Sequence, residues 1–339
     1  MIAEKIIDVK SLRFPWETKD PFLFCAHHRD KYPKGNEKMG IDLEDLKGRN
    51  IGEDFTIKDG WRMYHGSSVP GFPVHPHRGF ETITINKEGF VDHSDSLGAA
   101  GRFGAGDVQW MTAGKGIQHS EMFPLIHQDK ENHLELFQVW LNLPKANKFV
   151  EPHFKMLWRD MIPMVKETDI NGKTTEINII AGSLNGIQSP SPTPNSWASD
   201  PNNNVTVFTI KMEANANWKL PAATGEVNRT LYFYRGHTIN IENQTIKGYH
   251  LIELNPSEEI EIKNGSKDAY LLLLQGKPIN EPVTQYGPFV MNTKTEIEEA
   301  FSDYQKTKFG GWSWSEQGPV HARDKGRFAL HADGREETK

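Results

Sequence analysis

Two short pairs of metal-ligating residue types, His75-Pro76-His77 and His119-Ser120-Glu121, stand some forty residues apart within residues 72–123. The rest of that stretch reads as β-strand broken by Gly and Asp turns. In a strand, side chains i and i+2 point to the same face, so each pair presents both of its side chains on one side. Two such strands facing each other inside a small barrel bring three imidazoles and one carboxylate together. That is a metal site with nitrogen and oxygen ligands.

The chain around the pairs has the cadence this requires. After 1–60, which opens on an apolar run (Ile6-Ile7-Asp8-Val9) and is loop-like over 31–54, short strands are expected at 61–64, 82–86, 90–93, 101–103, 108–112 and 134–141. Turn signals at this spacing indicate an antiparallel sandwich or barrel rather than alternating strand and helix. From about residue 177 a second β-rich region follows, with strands expected at 205–212, 230–234, 238–241, 249–254, 259–262 and 269–274. Its segment beginning Arg229-Thr-Leu-Tyr-Phe-Tyr echoes the one beginning Glu81-Thr-Ile-Thr-Ile-Asn, which makes the chain a duplicated β-barrel. The second copy lacks the ligands. Where the first reads His75-Pro76-His77, it offers Ala223-Thr224-Gly225-Glu226-Val227-Asn228, and no His-x-Glu pair follows. The expected organisation is an all-β chain: 1–150 with the metal site, 151–310 without one, and a polar, irregular tail at 311–339.

Two further segments stand out. Residues 186–204 are dense in Pro, Ser and Asn, a long loop that is either functional or poorly ordered. Thr293-Lys-Thr-Glu296 reads as a capping box. Ile297, Ala300, Phe301 and Tyr304 follow at helical spacing and Gly310 marks the stop, so a C-terminal α-helix is expected with its apolar face against the other domain.

Composition excludes several function classes. At 339 residues with 37% hydrophobic and 25% charged content, the chain can bury two cores. A net charge of −6 gives no electrostatic reason for direct nucleic-acid binding. No apolar run has membrane-spanning length, and residues 1–20 lack the apolar core of a signal peptide. The one cysteine, Cys25, rules out an internal disulfide framework. A cytoplasmic protein is expected.

By ligand type, His75, His77, His119 and Glu121 suit Fe(2+), Mn, Ni, Cu or Zn. Four ligands around an ion that prefers six leave room for a substrate oxygen, water or dioxygen. Glu81 competes for the carboxylate position, but it lies about 13 Å beyond His77 along a strand, so Glu121 is preferred. Glu81 or Arg78 would then orient an imidazole from outside the set. His65, His93, His127, His133, His153, His237, His250, His321 and His331 read as packed or solvated residues, and His27 and His28 as either that or cavity-lining. Phe80, Trp110, Met111 and Phe123 read as core, Gly114 and Gly116 as tight turns, and Cys25 as a plain buried residue.

The segments His75-Pro-His-Arg-Gly-Phe-Glu-Thr82, Gly106-Asp-Val-Gln-Trp-Met-Thr-Ala-Gly-Lys-Gly-Ile-Gln-His-Ser-Glu-Met122, Leu136-Phe-Gln-Val-Trp-Leu-Asn-Leu-Pro144 and Tyr286-Gly-Pro-Phe-Val-Met-Asn-Thr-Lys-Thr-Glu-Ile297 resemble the pirin family of the cupin superfamily over most of residues 60–310. The resemblance implies a bicupin: two stacked antiparallel, jelly-roll-like β-barrels with a C-terminal α-helix, the first barrel holding a mononuclear iron on His75, His77, His119 and Glu121. Pirin-like proteins include quercetin 2,3-dioxygenases, so the activity expected is that of a dioxygenase acting on a flavonol or similar small aromatic substrate; Glu121 is the expected catalytic carboxylate, accepting the proton of the substrate's enol oxygen. The alternative within the family is a redox-responsive iron protein that acts through protein partners without turnover; a purely structural metal is the third reading. The general cupin pattern takes its glutamate from the first motif, where Glu81 stands here.

Overall fold

In the computed structural model, residues 4–223 and 225–339 are described; residues 1–3 of the N-terminal stretch and Thr224 of the segment 223–228 lie outside them. Strands dominate, and the chain forms two compact units. They are not the contiguous blocks 1–150, 151–310 and 311–339 expected above. One unit joins residues 26–159 to 281–339, and the other joins the N-terminal residues up to 25 to 160–280. The physical reason is strand pairing at both ends: Ile6–Ser11 pairs antiparallel with His250–Leu254, and Phe328–Leu330 pairs with Ala100–Gly104.

The unit containing the histidine pairs has two sheets. One runs in the order His153–Leu157, Val108–Thr112, Phe80–Glu88, Asn132–Asn142, Phe22–Tyr32. The other runs Glu336–Thr338, Phe328–Leu330, Ala100–Gly104, Phe90–Asp95, Ile117–Met122, Gly71–His77. Val91 and Phe103 from the second sheet meet Leu134, Leu136, Phe154 and Met156 from the first in one buried cluster with Met63 and Trp158. Each such aliphatic or aromatic side chain contributes roughly 1.5–3 kcal/mol by leaving water. Residues 61–64 do not form the expected strand. Trp61 and Tyr64 make isolated bridges, and Arg62 turns inward to pair with the buried Asp30 (Nε–Oδ1 2.9 Å).

The tail is not irregular. Its two three-residue strands extend the second sheet, with Phe328 and Ala329 buried. Strands that short leave almost no alternation to read. Arg102 is the buried post of this arrangement. It pairs with Asp92 at 2.7 Å through both Nε and Nη2, and donates to the carbonyls of His321 and Ala322 at 2.8 Å. The helix is Lys294–Thr307, and its capping box forms: Glu296 N donates to Thr293 Oγ1 (3.2 Å), and Thr293 N to Glu296 Oε2 (2.9 Å). Ile297, Ala300, Phe301 and Tyr304 pack on Phe289 and Met291 within this same unit.

The other unit has a seven-stranded sheet in the order Ile6–Ser11, His250–Leu254, Asn228–Arg235, Ala269–Gly276, Thr206–Met212, Thr174–Ala181, Met164–Thr168. A four-stranded sheet, Asn217–Leu220, Ile260–Asn264, Thr238–Ile241, Gln244–Lys247, completes it. Ile177, Phe208, Trp218, Leu231, Ile262 and Leu271 share its core. Residues 186–204 are ordered by two 3-10 turns, Trp197–Ser199 and Pro201–Asn203, with Trp197 Nε1 donating to the Lys277 carbonyl (2.9 Å). No helix of the described residues is long and apolar enough to cross a membrane.

Candidate metal centre

Both pairs lie on strands, as the i, i+2 spacing requires. Gly71–His77 runs antiparallel to Ile117–Met122, with His75 opposite His119, His77 opposite Ile117 and Phe72 opposite Glu121. This register brings three imidazoles together. Ring centroids are 4.4 Å apart for His75–His119, 4.8 Å for His75–His77 and 5.0 Å for His77–His119, and one ring nitrogen of each falls within 4.8 Å of the others. Among the described residues this is the one group of three His, Cys, Asp or Glu side chains with that geometry.

Each ring's chemistry is set by its surroundings. His75 Nδ1 donates to the Pro73 carbonyl (2.8 Å) and His77 Nδ1 to the Pro288 carbonyl (3.2 Å). A ring whose Nδ1 carries the proton presents the lone pair of Nε2. His119 is fully buried, and neither of its ring nitrogens has a hydrogen-bond partner among the described residues. A buried orphan nitrogen costs about 1–3 kcal/mol, and an ion between the three rings would satisfy it. Burial pushes His75 down to about 4 and holds His77 and His119 well below the usual imidazole range, each further lowered by its neighbouring rings. All three are therefore neutral near pH 7, the form that ligates. The donor set fits a divalent transition ion.

Glu121 is not part of the close three-histidine group. It is buried on the strand that bears His119, two residues on, and its carboxylate is held by Thr84 and Gln138 from the facing sheet (Thr84 Oγ1–Oε1 3.0 Å, Gln138 Nε2–Oε2 2.8 Å). Burial raises its pKa, against the opposing influence of His93 and the two hydrogen bonds. Glu81 is fully buried on that facing sheet and accepts from Thr112 Oγ1 at 2.6 Å. Arg78 binds the Lys115 carbonyl (2.6 Å) and Asp303 of the helix (2.9 Å).

Phe80 and Trp140 flank His77, with centroids at 5.0 and 5.4 Å, and Phe72 lies 6.3 Å from His75. Phe80 is thus core and also a wall of the site, while Trp110, Met111 and Phe123 are buried as expected. The turn after His77 is rigid. Gly79 sits at φ +88°, and a Cβ there would collide with the Val290 carbonyl oxygen. Lys148 Nζ, pushed down to about 8 by burial, donates to the Gly79 carbonyl and to Asn142 Oδ1, both at 2.8 Å. His28 donates to Tyr64 Oη (2.8 Å), which donates to Asp30 (2.7 Å), and His27 lies 3.1 Å from Glu135; these two are bound into buried polar networks. His93, read as a packed residue, is buried beside the site, its ring 5.6 Å from His119 and bonded to Asp95 (3.1 Å). Cys25 is buried with its thiol pushed well up. Sequence reasoning missed Thr84, Gln138, Trp140 and Pro288. The facing strands were expected, but nothing in their composition says which polar residue meets Glu121.

Residues 13–141 match the family described as Pirin, and residues 207–310 match the Pirin C-terminal cupin domain. Pirin-1 of Arabidopsis thaliana is 38% identical over 244 residues, covering 71% of this chain and 78% of the relative. A pirin-like protein of Solanum lycopersicum is 37% identical over 249 residues, covering 72% and 78%. The crystal structure of a quercetin 2,3-dioxygenase from Acinetobacter baumannii superposes with a TM-score of 0.70 at 25% identity, covering 91% of this chain and 98% of that one.

Proposed function

This chain belongs to the pirin family of bicupins, and on that premise we propose that it is an iron(II)-dependent dioxygenase of a flavonol such as quercetin. His75, His77, His119 and Glu121 hold the ion in this reading. The observation that carries it is the buried His119 ring, packed against His75 and His77, with both nitrogens unpartnered among the described residues. The likeness to a quercetin 2,3-dioxygenase structure supports the substrate class.

When bound, the ion supplies Lewis acidity and an open coordination position to the oxidation. The chain's own residues supply the rest. The carbonyls of Pro73 and Pro288 fix the His75 and His77 tautomers, so their Nε2 lone pairs converge without reorganisation. Phe72, Phe80 and Trp140 put apolar rings beside His75 and His77, which keeps water from this side of the site. Glu121 takes the proton of the substrate hydroxyl. Its burial makes it a stronger base than a solvated carboxylate, and Thr84 and Gln138 keep it aimed. The enolate left behind takes up both atoms of dioxygen; the two carbon–carbon bonds flanking the hydroxyl-bearing carbon break, the ring opens, that carbon leaves as carbon monoxide, and Glu121 returns its proton to the product.

The test is oxygen uptake by iron-loaded protein on adding quercetin, with His77→Ala alongside. Uptake that depends on quercetin and is lost in the variant is expected. Uptake no higher than that of the metal-free protein overturns the proposal.

A further inference from the structure

The unit without the histidine pairs has its own cavity, of about 420 Å³, within the usual range for a small-molecule site. It is roofed by the loop 186–204, which the metal chemistry leaves without a role, and Arg229 stands in its wall. The duplication gives Arg229 its meaning. Glu81 opens the echoed segment in the first barrel and pairs across the sheet with Leu141; Arg229 opens it in the second and pairs with Gln275. Each strand is the centre of an equivalent trio, flanked by Val108–Thr112 and Asn132–Asn142 in one unit and by His250–Leu254 and Ala269–Gly276 in the other. The same place in the two barrels has therefore reversed its charge.

Arg229 is 5% exposed, and no carboxylate among the described residues pairs with it. Its Nε donates to Gln275 Oε1 (2.6 Å) and its Nη1 to the Pro221 carbonyl (2.9 Å), while Nη2 has no acceptor among the described residues. Gln275 is held in turn by the Asn204 carbonyl and Thr206 Oγ1, each at 3.3 Å. The one acidic residue on the cavity wall, Asp200, is exposed and caps the following 3-10 turn through the Asn202 amide. Burial lowers the guanidinium only to about 10, so the charge is kept at neutral pH. A buried, uncompensated cation costs several kcal/mol, and a lysine there would shed its charge where an arginine does not.

We propose that this cavity is a binding site for a small organic carboxylate, seated on Arg229 and Gln275. A planar guanidinium matches a carboxylate in a two-point contact. One cation favours a singly charged head over phosphate, and Phe208, Leu220 and Leu273 give the body of the ligand an apolar wall. This inference does not rest on the metal chemistry proposed above.

The experiment is isothermal titration of the full chain with benzoate, benzamide and inorganic phosphate, repeated on Arg229→Met and on Ala222→Trp, which fills the exposed rim. Saturable one-to-one binding of benzoate but not of benzamide or phosphate is expected. Loss of the charged contact weakens it on the order of tenfold or more in Arg229→Met, and the filled rim weakens it in Ala222→Trp. Absence of saturable benzoate binding, equal binding of benzamide, preference for phosphate, or undiminished affinity in Arg229→Met each overturns the assignment. If Arg229→Met loses its near-ultraviolet circular dichroism, Ala222→Trp decides alone, and undiminished affinity there overturns it.

Discussion

Replacing His119 with leucine should have opposite effects on stability with and without metal. The wild-type ring is fully buried with two orphan nitrogens, and relieving them returns roughly 2–6 kcal/mol. Against this stand the contacts with His75, His77 and His93, whose centroids lie at 4.4, 5.0 and 5.6 Å. Ring pairs of that kind are worth about 0.5–1.5 kcal/mol each. The balance favours leucine by about 1 kcal/mol in chelated protein, a rise of about 2–4 °C in Tm for a unit of this size. Ligand present at a hundred times its Kd stabilises the wild type by about 2.7 kcal/mol and the variant not at all. Anaerobic thermal melts, after chelation and after adding iron(II), should therefore show the order of the two proteins reversing. A variant that melts lower than wild type in both conditions, or gains as much from iron, refutes the reasoning from orphan nitrogens to metal.

Three further outcomes follow from other sites. The folded-state value for His28 is about 3, against 6.5 for the free group, so the unfolded chain binds the extra proton between those values. Stability from His28 is fully present above about pH 6.5 and falls with pH toward 3; His28→Leu should flatten urea-derived stability between pH 6 and 4.5 by about 1.4 kcal/mol per pH unit. Gly79→Ala forces a Cβ against the Val290 carbonyl at positive φ; a loss of at least ~2 kcal/mol and weaker iron binding at nearby His77 are expected in denaturation and metal titration. Removing residues 327–339 exposes the surface covered by Phe328 and strands the Trp158 Nε1–H that Glu337 accepts at 2.7 Å. That should cost roughly 3–5 kcal/mol, read from the urea midpoint.

The three histidines were legible because strand geometry alone puts i and i+2 side by side, and one antiparallel register then aligns His75 with His119. The strands of both barrels were legible for the same reason, as were the helix and its cap, whose signals are local. What was hidden lies in long-range pairing. Nothing near Glu121 announces Thr84 or Gln138, and nothing near His77 announces Pro288, 211 residues away. Residues 61–64 read as a strand because Trp61, Met63 and Tyr64 are apolar, yet their burial comes from packing around the Asp30–Arg62 pair. The tail carries too few strand residues for its alternation to show.

The crossing of the two chain ends sets an order of events on the ribosome. Synthesis proceeds from the N-terminus, and units that are contiguous in sequence can close as they emerge. Here neither can. Ile6–Ser11 waits for His250–Leu254, and Ala100–Gly104 waits for Phe328–Leu330, each far downstream in the sequence. Until they emerge, the sheet bearing His75 and His119 has an unpaired edge, and Arg102 lacks the carbonyls of His321 and Ala322. The three-histidine pocket is thus finished only once Phe328–Leu330 has emerged, and a nascent chain stalled before that strand carries all three histidines without the framework that holds them.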